Sequence, residues 1–431
     1  MQVAQLYQLY LEHPVVKTDT RKLQEGDIFF ALKGPNFNGN HFAQQALDAG
    51  AAYVVVDEET NVGDNRIIKT EDALLTLQQL AKYHREQFSF RPEGNLPFIA
   101  ITGSNGKTTT KELAHAVLSS SYKTYTTEGN LNNHIGIPLT LLKIKNDAEM
   151  AVIEMGANNP KEIEGYCKYV QPTHGLITNF GRAHLEGFGS IEGVRKAKSE
   201  LFNYLKENNG TAFVNADDEF MVGLSDGIKN IITYGTDREQ IKGKVLDSST
   251  FLKVGITWED GMESIQTQLV GGYNLPNILA AVTIGKYFNV PGEEIKASIE
   301  NYSPSNSRSQ MIMQGSNIII LDAYNANPDS MKVAIENFAK MEGSNKILML
   351  GAMMELGKES QHEHEQIINM IEQFNWNKVV LVGAGFKQIK NSFINFDNSE
   401  EAREWLKAQH FQNAHILIKG SRSIQMEKVL E

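Results

Sequence analysis

Cysteine is almost missing from this chain: Cys167 is the only one in 431 residues. That excludes an intrachain disulfide or a cysteine-based zinc cluster, and a reducing cytoplasm is the expected compartment. No apolar run approaches the ~20 residues that cross a bilayer, so no membrane insertion is expected. An excess of positive charge is missing too. With 41 Lys and Arg against 52 Asp and Glu, the formal net charge is −11. This argues against a general nucleic-acid or anionic-membrane surface, so a phosphorylated ligand must be held by local cations. The segment Met1 to Val16 lacks a basic stretch followed by an apolar core. Its Leu and Tyr alternate with Gln at helix-like spacing, so it reads as a surface helix and not as a signal peptide. No internal repeat or long low-complexity segment is visible.

What is present is an ordinary globular composition, 41% hydrophobic and 22% charged. At ~100–200 residues per domain, the length allows two to four domains. Three regions separate, at 1–94, 95–302 and 303–431. The first carries strand-like runs at Asp27–Leu32 and Ala52–Val56 with a helix-like run, His41–Ala49, between them. Phe90–Gly94 reads as a linker. In the second, strand-like runs recur at Phe98–Thr102, Met150–Glu154, Gly175–Thr178, Ala212–Asn215 and Ile231–Tyr234 with helical runs between several of them. That alternation predicts a mostly parallel, helix-covered sheet. Val254–Trp258 and Ile265–Val270 flank Asp260-Gly261, a hairpin signal that predicts an antiparallel extension. Helix-like runs follow at Leu275–Phe288 and Gly292–Asn301. The third region alternates strands at Ile318–Leu321, Ile347–Leu350, Val379–Val382 and His415–Ile418 with helices such as Ser330–Met341 and Glu363–Phe374. The fold class is therefore α/β in three domains: a small one, a central sheet of P-loop type, and a Rossmann-like C-terminal unit. Gly383-Ala384-Gly385 is a lone Gly-x-Gly, and the full dinucleotide fingerprint is missing.

The strongest motif is Thr102-Gly103-Ser104-Asn105-Gly106-Lys107-Thr108-Thr109. A strand precedes it and a helix-like run, Lys107–Ser119, follows. Glycines let backbone N–H groups converge on an anion, and the helix N-terminus adds partial positive charge. Lys107 can reach β- and γ-phosphates, and the Thr108 hydroxyl can hold Mg²⁺. The loop is shorter than the general P-loop, since only Ser104 and Asn105 separate its glycines.

Other positions carry two readings each. Glu154 ends an apolar strand, as a metal ligand or as a solvated strand end. His184, just past the strand at 175–178, sits where parallel sheets bind ligands, or has a structural role. Lys198 reads as a surface cation by its spacing. Asn130, Asn132 and Asn133 are amides suited to hydroxyls and phosphate oxygens, or simply an Asn-rich turn. Lys419-Gly420-Ser421-Arg422 follows a strand as an anion pocket or a charged turn.

Together these motifs resemble the Mur ligases, and among them the type that adds D-alanyl-D-alanine to UDP-N-acetylmuramoyl-tripeptide. Besides the loop, the resemblance rests on Gly129–Pro138, Ile153–Ala157, Ala183–Gly189, Asp322-Ala323-Tyr324-Asn325-Ala326-Asn327-Pro328, Glu355-Leu356-Gly357 and Lys419–Ser423. In the first region, Asp19-Thr20-Arg21, Gly26–Phe29 and Ala31–Gly34 look like that type's UDP-sugar domain.

Carried over by position, the resemblance implies an ADP-forming amide ligase that uses ATP and Mg²⁺ and works as a monomer in cell-wall precursor synthesis. Gly103, Ser104, Asn105, Gly106, Lys107, Thr108 and Thr109 would cradle the ATP phosphates. Asn274 and Asn277 would lie near the adenine, and Arg308 and Asp322 would reach the nucleotide from the third domain. Thr108, Glu154, His184 and Lys198 would place metal, Lys198 being carbamylated in some relatives. Lys107, Glu154, His184 and Lys198 form the implied catalytic set. Thr20, Arg21 and Asn38 would face the UDP-muramyl part, and Asn130, Asn132, Asn133, Tyr324, Asn325, Asn327, Lys419, Ser421 and Arg422 the remaining substrate. There are departures: Ala352 stands where the family often has Asp, and Asn38 and Asn40 stand where an acid and a His are common. A ligase adding a single amino acid and a nucleotide switch without ligation are the rival readings. The Asp322–Pro328 segment disfavours the first, and the shared placement of Glu154, His184 and Lys198 the second.

Overall fold

The computed structural model describes residues 2–89, 91–92, 94–237, 241–258, 261–304 and 307–431. Each region is built on its own principal sheet. The first holds four parallel strands in the order Val16–Lys17, Ile28–Phe30, Tyr53–Val56, Ile67–Lys69. Among the described residues the central sheet has nine. Seven are parallel, running spatially from Thr124–Thr126 through Met150–Glu154, Phe98–Thr102, His174–Ile177, Thr211–Asn215 and Asn230–Gly235 to Ile241–Asp247. Lys253–Trp258 and Gly261–Gln266 extend it antiparallel. The third sheet has six strands among the described residues, with Gln310–Gln314 antiparallel to Asn317–Asp322 and the remainder parallel.

Phe98–Thr102 is buried at every position. It lies mid-sheet and is covered on one face by helix Lys107–Ser119, which packs against helix Leu275–Tyr287. A strand buried on both faces reads as a continuous apolar run, and Phe98-Ile99-Ala100-Ile101 is one.

Two expectations need correction. The second hairpin strand is Gly261–Gln266 and not Ile265–Val270. Leu269 and Val270 are apolar because they are buried in the core, not because they join the ladder. Asp260, half of the expected turn, lies outside the described residues, as do Phe90 and Glu93 of the expected linker. The N-terminal helix, Val3–Glu12, is not only a surface element: it buries Leu6, Tyr7 and Tyr10. Tyr7 Oη lies 3.1 Å from His84 Nδ1, and Tyr10 donates to the carbonyl of Leu142. His84 belongs to helix Ala73–Glu86, which starts on an Asp72 cap and packs on helices Gly136–Leu141 and Glu162–Val170 of the central region. Arg85 fastens it there by donating to the carbonyls of Val170 and Gln171, each at 2.8 Å. Among the described residues no helix is long and apolar enough to cross a membrane.

Candidate active site

Parallel strands present their carboxyl ends together, so Thr102, Glu154 and Ile177 meet along one edge of the central sheet (Ile101 pairs with Glu154 and Thr102 with Ile177). The chain leaves Thr102 through a turn that only glycine suits. Gly103 has φ +140°, and a Cβ there would stand 1.9 Å from Thr178 Oγ1. Gly106, at φ +78°, would press a Cβ to 2.5 Å from Asn277 Oδ1. The residues beyond strand His174–Ile177 staple the loop: Thr178 Oγ1 donates to Asn105 O at 2.6 Å, Asn179 Oδ1 accepts from Asn105 N at 3.0 Å, and Ser104 Oγ donates to Gly181 O at 2.9 Å. Gly103→Ala is therefore expected to destabilise the chain by about 1–3 kcal/mol, read as a lower urea midpoint. An unchanged midpoint would show that the turn can move aside.

Helix Lys107–Ser119 begins at the loop, which directs its N-terminus and its first side chains to the sheet edge. Thr108 Oγ1 donates to Glu154 Oε2 at 2.8 Å, and Asn132 Nδ2 donates to Glu154 Oε1 at 2.7 Å. Glu154 is thus a buried carboxylate held by two neutral donors, one of them on the phosphate loop. Lys107 is half-buried, and its ammonium donates to the carbonyls of Gly103 at 2.7 Å and Ser104 at 3.0 Å. Burial pushes its pKa down to about 8, with Glu154 pulling it up and Arg308 adding to the fall.

His184 follows in left-handed backbone, φ +54°. Its Nδ1 stands 2.6 Å from Glu355 Oε2 of the third region. Lys198 comes from helix Ile191–Glu207, on the face that also buries Val194, Leu201 and Phe202. It is not the surface cation that spacing alone suggested: it is 1% exposed. Its Nζ donates to Ala157 O at 3.2 Å and lies 5.3 Å from the centre of the Phe188 ring. Burial pushes its pKa far down, Lys107 adds to the fall, and Glu162 and Glu200 oppose it.

The third region forms the facing wall. Strands Asn317–Asp322 and His415–Lys419 lie side by side with Asp322 opposite Lys419, and Lys419 Nζ donates to Asp322 Oδ2 at 2.6 Å. The Arg308 guanidinium stacks 3.5 Å above the centre of the Tyr324 ring. Among the contacts that tie this wall to the other, Asn327 Nδ2 donates to Asn105 Oδ1 at 2.7 Å, and the Tyr273 and Ser309 hydroxyls lie 2.9 Å apart. Between the walls is a cavity of about 720 Å³.

Most of the expected residues border this cavity: Ser104, Asn105, Gly106, Lys107, Thr108 and Thr109 of the loop, Asn130, Asn132 and Asn133, Glu154, His184, Asn274, Asn277, Arg308, Asp322, Tyr324, Asn325, Asn327 and Lys419. Gly103 and Lys198 do not border it; Gly103 packs against Thr178, and Lys198 lies against Ala157. Ser421 braces the facing wall, donating to Ala326 O at 3.2 Å and accepting from Met354 N at 2.9 Å. Arg422 pairs with Glu427 at 3.1 Å. Thr20, Arg21 and Asn38 are not brought to the cavity. Thr20 opens a short 3-10 turn, Arg21 is exposed and clasps Asp19 at 2.8 Å, and Asn38 donates to Glu58 at 2.8 Å while accepting from Asn40. Sequence reasoning missed Thr178 and Asn179, although a Thr-Asn pair closing a strand beside a phosphate loop is a usable signal. It also missed Arg182 and Asp329, whose pairing across 147 positions has no sequence signature.

The comparisons follow the same three-part plan. Residues 14–85 match the model of the Mur ligase family, catalytic domain, residues 101–285 that of the Mur ligase middle domain, and residues 307–422 that of the Mur ligase, glutamate ligase domain. The chain is 33% identical to the UDP-N-acetylmuramoyl-tripeptide–D-alanyl-D-alanine ligase of Bacillus subtilis, over 96% of this chain and 92% of that one. Among solved structures, MurF from Acinetobacter baumannii superposes with a TM-score of 0.88 at 29% identity, covering 100% of this chain and 97% of that one. MurF ligase from Thermotoga maritima in complex with ADP gives 0.85 at 27% identity, with 97% of each chain covered. All three regions match in sequence and the whole chain matches in shape, with the short phosphate loop at the seam between them: the chain belongs to the Mur ligase family.

Proposed function

We propose that this protein joins D-alanyl-D-alanine to UDP-N-acetylmuramoyl-tripeptide, converting ATP to ADP and phosphate, in cytoplasmic peptidoglycan precursor synthesis. The observation that carries this reading is the single cavity in which the Lys107 loop and the Thr108–Glu154 pair face Arg308, Asp322 and Lys419 of another domain. The names of the relatives supply the substrates. In this reading residues 1–94 hold the UDP-sugar, with Thr20, Arg21 and Asn38 at its edge. Residues 95–302 hold ATP, and residues 303–431 mainly the dipeptide.

A carboxylate is a poor electrophile with a poor leaving group, so it must be activated. The terminal carboxylate of the tripeptide attacks the γ-phosphorus of ATP, the bond to the bridging oxygen breaks, and ADP leaves. The dipeptide amine attacks the acyl carbon, phosphate departs, and the amine loses its extra proton. The Lys107 ammonium offsets the repulsion between carboxylate and triphosphate, and the loop N–H groups hold the phosphate in line. Closure of the two walls keeps water from the acyl phosphate.

Thr108 and Glu154 offer hard oxygens beside the phosphate loop and fit one Mg²⁺ ion, which when bound neutralises phosphate charge. Among the described residues no group of three or more His, Cys, Asp or Glu could hold a metal by itself. A second ion near His184 would need an oxygen anion in place of the Lys198 amine. Carbamylation supplies one: the neutral amine adds to CO₂ and releases a proton. The buried Lys198, whose pKa is pushed far down, is suited to that step.

The test is phosphate release. It is expected with tripeptide precursor and D-alanyl-D-alanine together, and not when a free amino acid replaces the dipeptide. Equal release with a free amino acid would overturn the reading in favour of a single-residue ligase. Release that needs no acceptor would point to a nucleotide switch.

A further inference from the structure

Arg182 lies two residues before His184, in the loop after strand His174–Ile177, and the chemistry above gives it no task. Its side chain is not part of the cavity lining and reaches across the seam to the third region. Nη2 and Nε donate to Asp329 Oδ1 at 2.9 and 3.1 Å, and Nη1 donates to the two Glu363 oxygens at 2.9 and 3.2 Å. The Arg182 backbone N–H adds a bond to Asp329 Oδ2 at 2.6 Å. One guanidinium thus holds two carboxylates from two helices, Pro328–Lys340 and Ser360–Ile371. Among the described residues it is the only cation within ion-pair distance of either acid.

We propose that Arg182 is a positioning residue that latches the third domain over the phosphate loop. The proposal rests on the ligase reading only for what the closed cavity is used for. Asp329 is the second residue of a helix whose N-cap, Asn327, donates to Asn105 of the loop. The latch and the loop contact therefore share one rigid helix start, so fixing Asp329 fixes Asn327. The same domain carries Arg308, Asp322 and Lys419 to the facing wall, and these reach a nucleotide only when that wall is in place. Glu363 has a 7% exposed side chain, and a carboxylate so placed is costly to leave without its partner. Removing Arg182 would strand it next to Asp329, so the same acids that hold the domain closed would then favour opening. The guanidinium's planar fork serves both carboxylates at once, which an ammonium cannot reproduce.

A latch that sets the closed population acts on apparent affinity and not on the chemical step. Arg182→Ala is expected to weaken equilibrium binding of a fluorescent ATP analogue about tenfold. KM for ATP should rise to match, with kcat within about threefold of wild type because saturating ATP restores closure. Small-angle scattering of the free protein should show a larger radius of gyration. Arg182→Lys should fall between the two, and adding Asp329→Ala to Arg182→Ala should cost little more. Unchanged analogue affinity and unchanged radius of gyration in Arg182→Ala would overturn the proposal, as would a fall in kcat with KM unchanged. If the wild type released no phosphate in response to the dipeptide, the ligase reading would fall, while the binding and scattering arms would still decide the latch.

Discussion

Lys107→Ala is expected to form ADP at least about 10³-fold more slowly than the wild type when given all three substrates. Phosphoryl transfer asks little of a protein beyond position and charge, so removing the one ammonium on the loop removes most of what the loop does. The geometry is specific about where that charge sits. Lys107 is tethered to the carbonyls of Gly103 and Ser104, which hold its ammonium across the turn that gathers the phosphates. A bound triphosphate supplies anions that outcompete those carbonyls and favour the protonated amine, against the burial that otherwise pushes its pKa down to about 8. Lys107→Arg keeps charge but lengthens and flattens the group, and should recover only part of the rate. The check is coupled-assay ADP formation, with folding confirmed by circular dichroism. A well-folded Lys107→Ala enzyme with near-normal turnover would sink the mechanism.

Lys198→Ala is expected to lose about 10²–10³-fold in turnover, and wild-type protein in ¹³C-bicarbonate should give an enriched carbamate resonance that the variant lacks. The cause is electrostatic. A fully buried lysine with a single carbonyl partner carries its charge poorly, and Lys107 disfavours that charge further. A carbamate reverses the sign and turns the position into an oxygen ligand. Lys198→Arg separates the two roles, because it keeps a cation that cannot be carbamylated. It should be as inactive as the alanine variant. Full activity of Lys198→Arg, or a wild-type spectrum without the resonance, would refute the carbamate.

Much of this protein is legible in its sequence, for reasons that are local. Doubly buried parallel strands must be apolar along their whole length, and Phe98–Ile101, Met150–Ile153 and Ile347–Leu350 announce themselves that way. Helix Gly292–Asn301 is bounded as its pattern implies. The phosphate loop is readable because its job dictates its glycines. The second hairpin strand, Gly261–Gln266, departs from its apolar pattern for an equally plain reason. Burial makes residues apolar whether or not they join a ladder, and Leu269 and Val270 are buried outside one.

Lys198 and Arg182 show where local reading stops. By its spacing Lys198 reads as a solvated charge, and nothing in the neighbouring sequence singles out Arg182. Only packing makes one a buried amine against Ala157 and the other a clamp on Asp329 and Glu363. The sequence by itself determined the three α/β regions, the phosphate loop and the family, since each is written in runs of neighbouring residues. The tertiary structure alone decided which distant groups meet. Glu154 meets Thr108 across 46 positions, Lys419 meets Asp322 across 97, and Arg182 meets Glu363 across 181. Such pairs are set by strand order and by the angle at which one domain closes on another, and no stretch of chain encodes either by itself.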